Sequence, residues 1–309
     1  MMRSLYSGVA GLRTHQLRMD VIGNNIANVN TIGYKKSRTV FQDMMSQTLR
    51  GASQPTANVG GMNPVQVGLG VSLGTIDVLH TQGAAMSTGN NFDLMIQGDG
   101  YFVVADAKRD AAGNIDWNDS YDEGTVAYTR AGNFAFDEQG FLVCTSTGKY
   151  ILSYVPDETD PTAEGTLSLV QVPISNVRNV SVDAQGYITF IDPQGNIGSF
   201  SPDNDYTTDP IDYGIASPIA VAKFNNPMGL EKIGMNMYNR TNNSGVPFYD
   251  GPNGRHGQGS LLPGNLEMSN VDLAEEFTDM IVTQRGHQAN ARTIRTSDEM
   301  LQELAQIKR

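Results

Sequence analysis

The chain has 309 residues, 39% of them hydrophobic, and a formal net charge of -12. That is enough apolar material to bury at least one substantial core, and the acidic balance excludes a protein that binds nucleic acid through a broad basic surface. A single cysteine excludes any intrachain disulfide, and the lack of an apolar run near 18 residues leaves no candidate membrane span, so membrane insertion is not expected.

The charge is unevenly spread: residues 1–50 carry 7 basic against 2 acidic side chains, residues 51–267 carry 9 against 24, and residues 268–309 carry 5 against 7. The opening "MMRSLYSGVAGLRTHQ" meets charge too soon to be a cleavable secretory signal. It reads as a helix instead. Leu5, Leu12, Met19 and Ile26 recur every seven residues, and Val9, Ile22 and Val29 fall on the same face, which predicts a helix from Ser4 to Ala27, about 36 Å long. "NNIANVNTIGYK" then breaks the pattern with four asparagines. Asn28, Asn30 and Gly33 suit a helix end and its exit turn, whereas Asn24 and Asn25 come earlier and are read as amides that bond between subunits.

Residues 51–75 are rich in glycine and small polar residues and carry no helical period, and 31–75 reads as an extended linker. Within it, "GVSLG" (Gly70 to Gly74) matches the G-x-S-x-G pattern of a hydrolase. An elbow of that kind needs a strand before the serine and a helix after it, and Ser72 is followed by the strand-like "TIDVLH". No esterase is expected. From Ile76 to Ser269, short runs such as "YFVVA", "FAFDEQGFLVC", "YITFIDPQGNIGSF" and "IAVAKF" predict a central, mainly β domain. Asp-x-Gln-Gly occurs at 137–140, 183–186 and 192–195, each fitting a hairpin turn in which Asp bonds its own backbone and Gly takes a positive φ. Neither these acids nor the acid-rich stretch 110–123 has calcium-loop spacing. Cys144, in "GFLVCTSTG", reads as a small buried apolar residue.

The C-terminal region has no proline from Ser269 onward, and Phe277, Met280, Ile281, Ala291, Ile294, Leu301 and Leu304 lie at helical spacing. It predicts a second helix from Asp272 to the end, with Ser269 and Asp272 at its capped start, Lys308 and Arg309 at its close, and Gly286 as its weak point. His15, His80, His256 and His287 never stand at metal-ligand spacing, so no metal, no cofactor and no catalytic residue is expected. The predicted class is α+β: residues 1–30 and 270–309 form a coiled-coil helical domain, 31–75 a linker, and 76–269 a central β domain in which 155–217 is at most a vestigial outer subdomain. Each helical stripe is narrow. Neither is complete alone, so many copies are expected to pack side by side, with Leu5, Leu12, Met19, Ile26, Phe277, Ile281, Ile294 and Leu301 between subunits and Asn24, Asn25, Asn28 and Gln284 as polar contacts.

The block "MMRSLYSGVAGLRTHQLRMDVIGNNIANVNTIGYKKSR" resembles the N-terminal signature of the bacterial flagellar rod and hook proteins. "HTQGAAMSTGNNFDLMIQGDGYFVV", "TRAGNFAFDEQGFLV", "FNNPMGLEKIGMNMYNRTNNSG" and the closing "MIVTQRGHQANARTIRTSDEMLQELAQIKR" resemble further segments of that family in the same order. The resemblance implies a non-catalytic subunit of the flagellar axis, exported unfolded by the flagellar export apparatus and polymerising with itself into a helical tube. Its partners would be other axial proteins of the distal rod, the hook cap and the hook-filament junction, and its termini would order on assembly. The linker and the ending resemble hook proteins of the Gram-positive type, which implies a flexible joint that transmits torque. The short interval from Tyr154 to Ser217 departs from longer hook proteins, so a distal rod protein, a straight drive shaft, stands as the alternative. A secreted adhesin built on the β domain is a third reading.

Overall fold

The computed structural model describes residues 2–55, 60–108, 121, 123–156, 165–172, 179–191, 197–199 and 217–307. The fold is α+β, with the two terminal helices packed together and a β-rich unit between them in sequence. Two compact units divide the chain: Met1–Val29, Lys36–Leu79 and Val271–Arg309 form the first, Asn30–Lys35 and His80–Asn270 the second.

The first unit contains helices α1 (Met2–Ala27) and α2 (Leu273–Ile307) and strands β1 (Ser37–Asp43), β2 (Ser46–Arg50), β3 (Val65–Gly68) and β4 (Val71–Val78). Helix α1 ends at the predicted residue, where the Asn28 side chain donates back to the Asn24 carbonyl at 2.9 Å. Helix α2 starts with Asp272 as its cap: the Asp272 carboxylate accepts from the Ala274 amide at 2.8 Å, and Ser269 lies outside the cap. Lys308 and Arg309 are outside the described residues. The segment read as a linker is an antiparallel ribbon in which β1 pairs with β4 across a register shift at Val40/Phe41, and β2 pairs with β3. Ser72 stands in β4 opposite Gln42, a strand position with no helix after it.

The second unit holds β5 (Ala85–Ser87), β6 (Leu94–Gln97), β7 (Tyr101–Ala105), β8 (Ala127–Thr129), β9 (Phe134–Phe136), β10 (Leu142–Cys144), β11 (Tyr150–Val155) and β12 (Thr166–Leu169). It continues with β13 (Asn179–Val182), β14 (Ile188–Ile191), β15 (Ile197–Ser199), β16 (Val221–Lys223), β17 (Glu231–Gly234), β18 (Met237–Asn239), β19 (Phe248–Asp250), β20 (Ser260–Pro263) and β21 (Asn265–Glu267). The main sheet runs β17-β18-β8-β7-β11-β10-β9, with β12 beside β11 and with β16 joining β7 to β19. Strand β7 is buried on both faces, Phe102 and Val104 entering one apolar cluster and Tyr101, Val103 and Ala105 the other. This accounts for its unbroken apolar sequence, since a strand covered on both sides need not alternate. Cys144 is buried in the first cluster.

Two of the Asp-x-Gln-Gly stretches form the same turn. Asp137 and Asp183 each accept from the next residue's amide at 2.7 Å, and Gly140 and Gly186 follow at φ 83° and 84°. The third, 192–195, is outside the described residues, as are the acid-rich 110–120 and much of 155–217.

Candidate assembly surface

Antiparallel helices α1 and α2 meet along a line that is mostly small and polar. Ser4 Oγ is 3.4 Å from Ser297 Oγ, and Arg18 pairs with Asp279 at 2.8 Å. A methyl group added at Gly11 would stand 2.5 Å from the Asn290 side chain, and one at Gly286 would stand 2.6 Å from the His15 ring. The helices approach closely because these positions lack a Cβ. Gly286, the weak point by propensity, is therefore where His15 fits. His15 also lies edge-on to Phe41 of the ribbon, with Arg18 above the same ring. Burial and then the nearby Arg18 charge lower the His15 pKa.

The buried hydroxyls on this line satisfy themselves within their own helices. Thr14 donates to the Ala10 carbonyl, Thr283 to Asp279 and Ser297 to Thr293, at 3.1, 2.7 and 2.8 Å. Back-bonding of this kind satisfies a buried hydroxyl within its own helix, so that the facing helix need not supply its partner even where, as Ser4 does for Ser297, it stands within reach. Further along, the Asn25 side chain donates to the Ser37 carbonyl at 2.9 Å and to Glu276 at 3.2 Å, and it accepts from the Ser37 amide at 3.0 Å. Lys36 reaches Glu275 at 2.7 Å and Glu276 at 3.8 Å. Burial raises the Glu276 pKa, while the Asn25 bond and the Lys36 charge oppose that rise.

The contact line Ser4, Gly11, Arg18, Asn25 runs one residue before Leu5, Leu12, Met19 and Ile26, which lie half-buried at its flank, as do Ile294 and Leu301. Phe277 and Ile281 are exposed, at 50% and 59%. Tyr6, Val9 and Leu17 on α1, and Leu273, Val282, Met300, Leu304 and Ile307 on α2, are exposed as well. Asn24 and Gln284 are exposed, and Asn28 is half-buried. Sequence periodicity counts apolar residues, so it passed over Gly11, Arg18 and Thr283, and it marked Gly286 only as a weak point of its helix. The signal that marks them is a spacing of seven in small and polar residues. Among the described residues no group of acids, histidines or cysteine is placed to hold a metal ion, and no helix is long and apolar enough to cross a membrane.

A chain whose two ends pair along a polar seam while carrying apolar residues on their outer faces is a structural protein organised around its termini. Three family profiles match in chain order: "Flagella basal body rod protein" over residues 5–35, "Flagellar hook protein FlgE/F/G D1 domain" over 119–190 and "Flagellar basal body rod FlgEFG protein C-terminal" over 262–307. The flagellar basal-body rod protein FlgG of Bacillus subtilis is 44% identical over 309 residues, covering all of both chains. FlgG of Buchnera aphidicola from Acyrthosiphon pisum is 35% identical over 311 residues, 99% of this chain and all of that one. The flagellar hook protein FlgE of Borreliella burgdorferi is 34% identical over an alignment of 458 residues that covers both chains. The chain belongs to the flagellar basal-body rod and hook protein family, a family of non-catalytic structural subunits of the flagellar axis.

Proposed function

We propose that the chain is a rod subunit of the flagellar basal body, polymerising with itself into a straight shaft, rather than a subunit of the curved hook. The observation that carries this reading is length. The Bacillus subtilis rod protein aligns over 309 residues end to end, whereas the alignment with the Borreliella burgdorferi hook protein needs 458 positions, so long stretches of that hook protein face no residue here. A hook that bends needs outer parts that slide, and this chain lacks room for an added outer domain. The hook reading drawn from the linker and the ending takes second place.

In the polymer, the exposed faces of α1 and α2 pack against neighbouring copies. Phe277, Ile281, Leu304 and Tyr6 are buried outright, and the flanking Leu5, Leu12, Met19, Ile26, Ile294 and Leu301 lose their remaining exposure. Full burial of one such side chain contributes about 1.5–3 kcal/mol, so even partial burial repeated along a polymer is decisive. Asn24, Asn28 and Gln284 supply polar contacts that set register. Other axial proteins would meet the two ends of the shaft, and the export apparatus would deliver the chain.

The test is electron microscopy of the purified full chain at high concentration beside Phe277→Asp/Ile281→Asp. Straight tubes from the parent chain and none from the variant are expected. Curved tubes would restore the hook, and monomers in both samples would favour a β-domain binding protein.

A further inference from the structure

The chain passes between its two units four times, at 29/30, 35/36, 79/80 and 270/271, so that three connecting segments, 30–35, the one at 79–80 and the one at 270–271, border the β unit. Inside the β unit these three connectors converge on one side chain. Glu267 is fully buried and accepts from Lys35 Nζ at 2.5 Å, from the Gly83 amide at 2.9 Å and from Arg130 at 3.2 Å. Its backbone carbonyl accepts from the Gly33 amide at 2.8 Å. Lys35, also fully buried, donates to the Thr81 carbonyl at 2.7 Å, and the Asn270 side chain donates to Thr81 Oγ1 at 2.8 Å. Arg130 is held in turn by the Gly98 carbonyl at 2.8 Å.

The backbone is as tight as the side chains. Gly33 takes φ 68°, and a methyl group on it would stand 2.7 Å from the Ala131 nitrogen; one on Gly83 would overlap the Met268 carbonyl oxygen at 1.9 Å. A buried ionic cluster is weak evidence for stability, because desolvating the charges offsets most of their attraction. Its strength is in fixing geometry, and removal of one partner leaves the others as uncompensated buried charge.

We propose that Glu267 is a positioning residue that staples the three connectors into one joint. Load carried along the chain then enters the β unit at a single point, and the connectors cannot move as separate tethers. The pairing spans residue 35 to residue 267, so the staple closes only when both distant parts of the chain are present. The staple itself is a property of the single chain; its consequence for ordered assembly rests on the polymer reading above.

The experiment is hydrogen–deuterium exchange on the full-length monomer, comparing the parent chain with Glu267→Gln and Lys35→Met. In Glu267→Gln, peptides covering 30–36 and 80–85 are expected to exchange at least about tenfold faster, while β7, β8 and β11 keep their protection. In Lys35→Met, Glu267 keeps Arg130 and the Gly83 amide while the Thr81 carbonyl loses its Lys35 donor, so 30–36 should loosen clearly more than 80–85. Unchanged connector exchange in both variants, or equal acceleration across the strand core, would overturn the staple; should Glu267→Gln fail to fold, the split between the two connectors in Lys35→Met decides alone. Tube formation is scored separately: ordered tubes from the parent and disordered ones from Glu267→Gln complete the proposal, ordinary tubes from the variant overturn its assembly role, and no tubes from the parent remove the polymer reading while leaving the staple intact.

Discussion

Asn25 is 1% exposed and has both ends of its amide engaged by Ser37 and Glu276. An aspartate there would keep the bond from the Ser37 amide and set a second carboxylate against Glu276, so the site asks for a group that donates and accepts at once. His80 is buried in a different way. Its Nδ1 is 2.6 Å from the Tyr101 hydroxyl, and its ring lies edge-on to Tyr101 and Tyr238. Burial, with the Lys35, Arg130 and Lys232 charges facing it, pushes its pKa from 6.5 down to about 4. The folded chain therefore holds the imidazole neutral where the unfolded chain takes up a proton. The stability this gives is fully present above pH 6.5 and is lost as pH falls towards 4, by at most on the order of 3 kcal/mol. Urea unfolding at pH 7 and pH 4.5 should show the midpoint falling, and His80→Gln should flatten that fall. An unchanged slope in His80→Gln would assign it to carboxylates instead.

For helices α1 and α2, glycine has opposite consequences at different positions. Gly23 has open space around its Cα, and alanine there should strengthen α1 by about 1 kcal/mol through helix propensity alone. Gly11 and Gly286 have the Asn290 side chain and the His15 ring within 3 Å of a new methyl, so the same substitution pushes those side chains out of the contact line, at a cost expected to exceed its propensity gain. Helical content by circular dichroism, with tube yield, should rise or hold for Gly23→Ala and fall for Gly11→Ala and Gly286→Ala. Equal gains in all three would mean that the helices do not pair through these residues. The same positions explain what was readable beforehand. The existence and end of α1 followed from its apolar period, and the Asp-x-Gln-Gly turns followed from local chemistry that needs no tertiary partner. The contact line did not, because glycine, serine and arginine carry no apolar signal and the leucines sit one residue to the side of it. The ribbon β1–β4 was unreadable for a related reason: β2 and β3 are exposed along their whole length, so no alternation was imposed on their sequence. Asp272 took the cap from Ser269 because the helix begins at Leu273, one residue beyond it.

At the scale of the whole molecule, each copy carries a formal charge of -12, most of it from the middle of the chain, while residues 1–50 are basic. Within one copy four of the seven basic residues of that segment are engaged in ion pairs, Arg18 with Asp279, Lys35 with Glu267, Lys36 with Glu275 and Glu276, and Arg38 with Asp77, whereas Arg3, Arg13 and Arg50 are exposed. What one copy shows the next is then like charge on the acidic β unit, and on the helices apolar surface beside a few exposed arginines such as Arg3 and Arg13. Repulsion between exposed charges is screened over about 10 Å at 0.1 M salt and about 3 Å at 1 M, whereas apolar contact is not weakened by salt. Assembly driven by the helix faces should therefore speed up as sodium chloride rises from 20 mM to 500 mM, and the critical concentration for tubes should fall. Light scattering across that range is the measurement. Tubes that dissolve as salt rises would place the main attraction in ion pairs between copies, and would shift attention from Phe277 and Ile281 to the basic residues of the N-terminal segment.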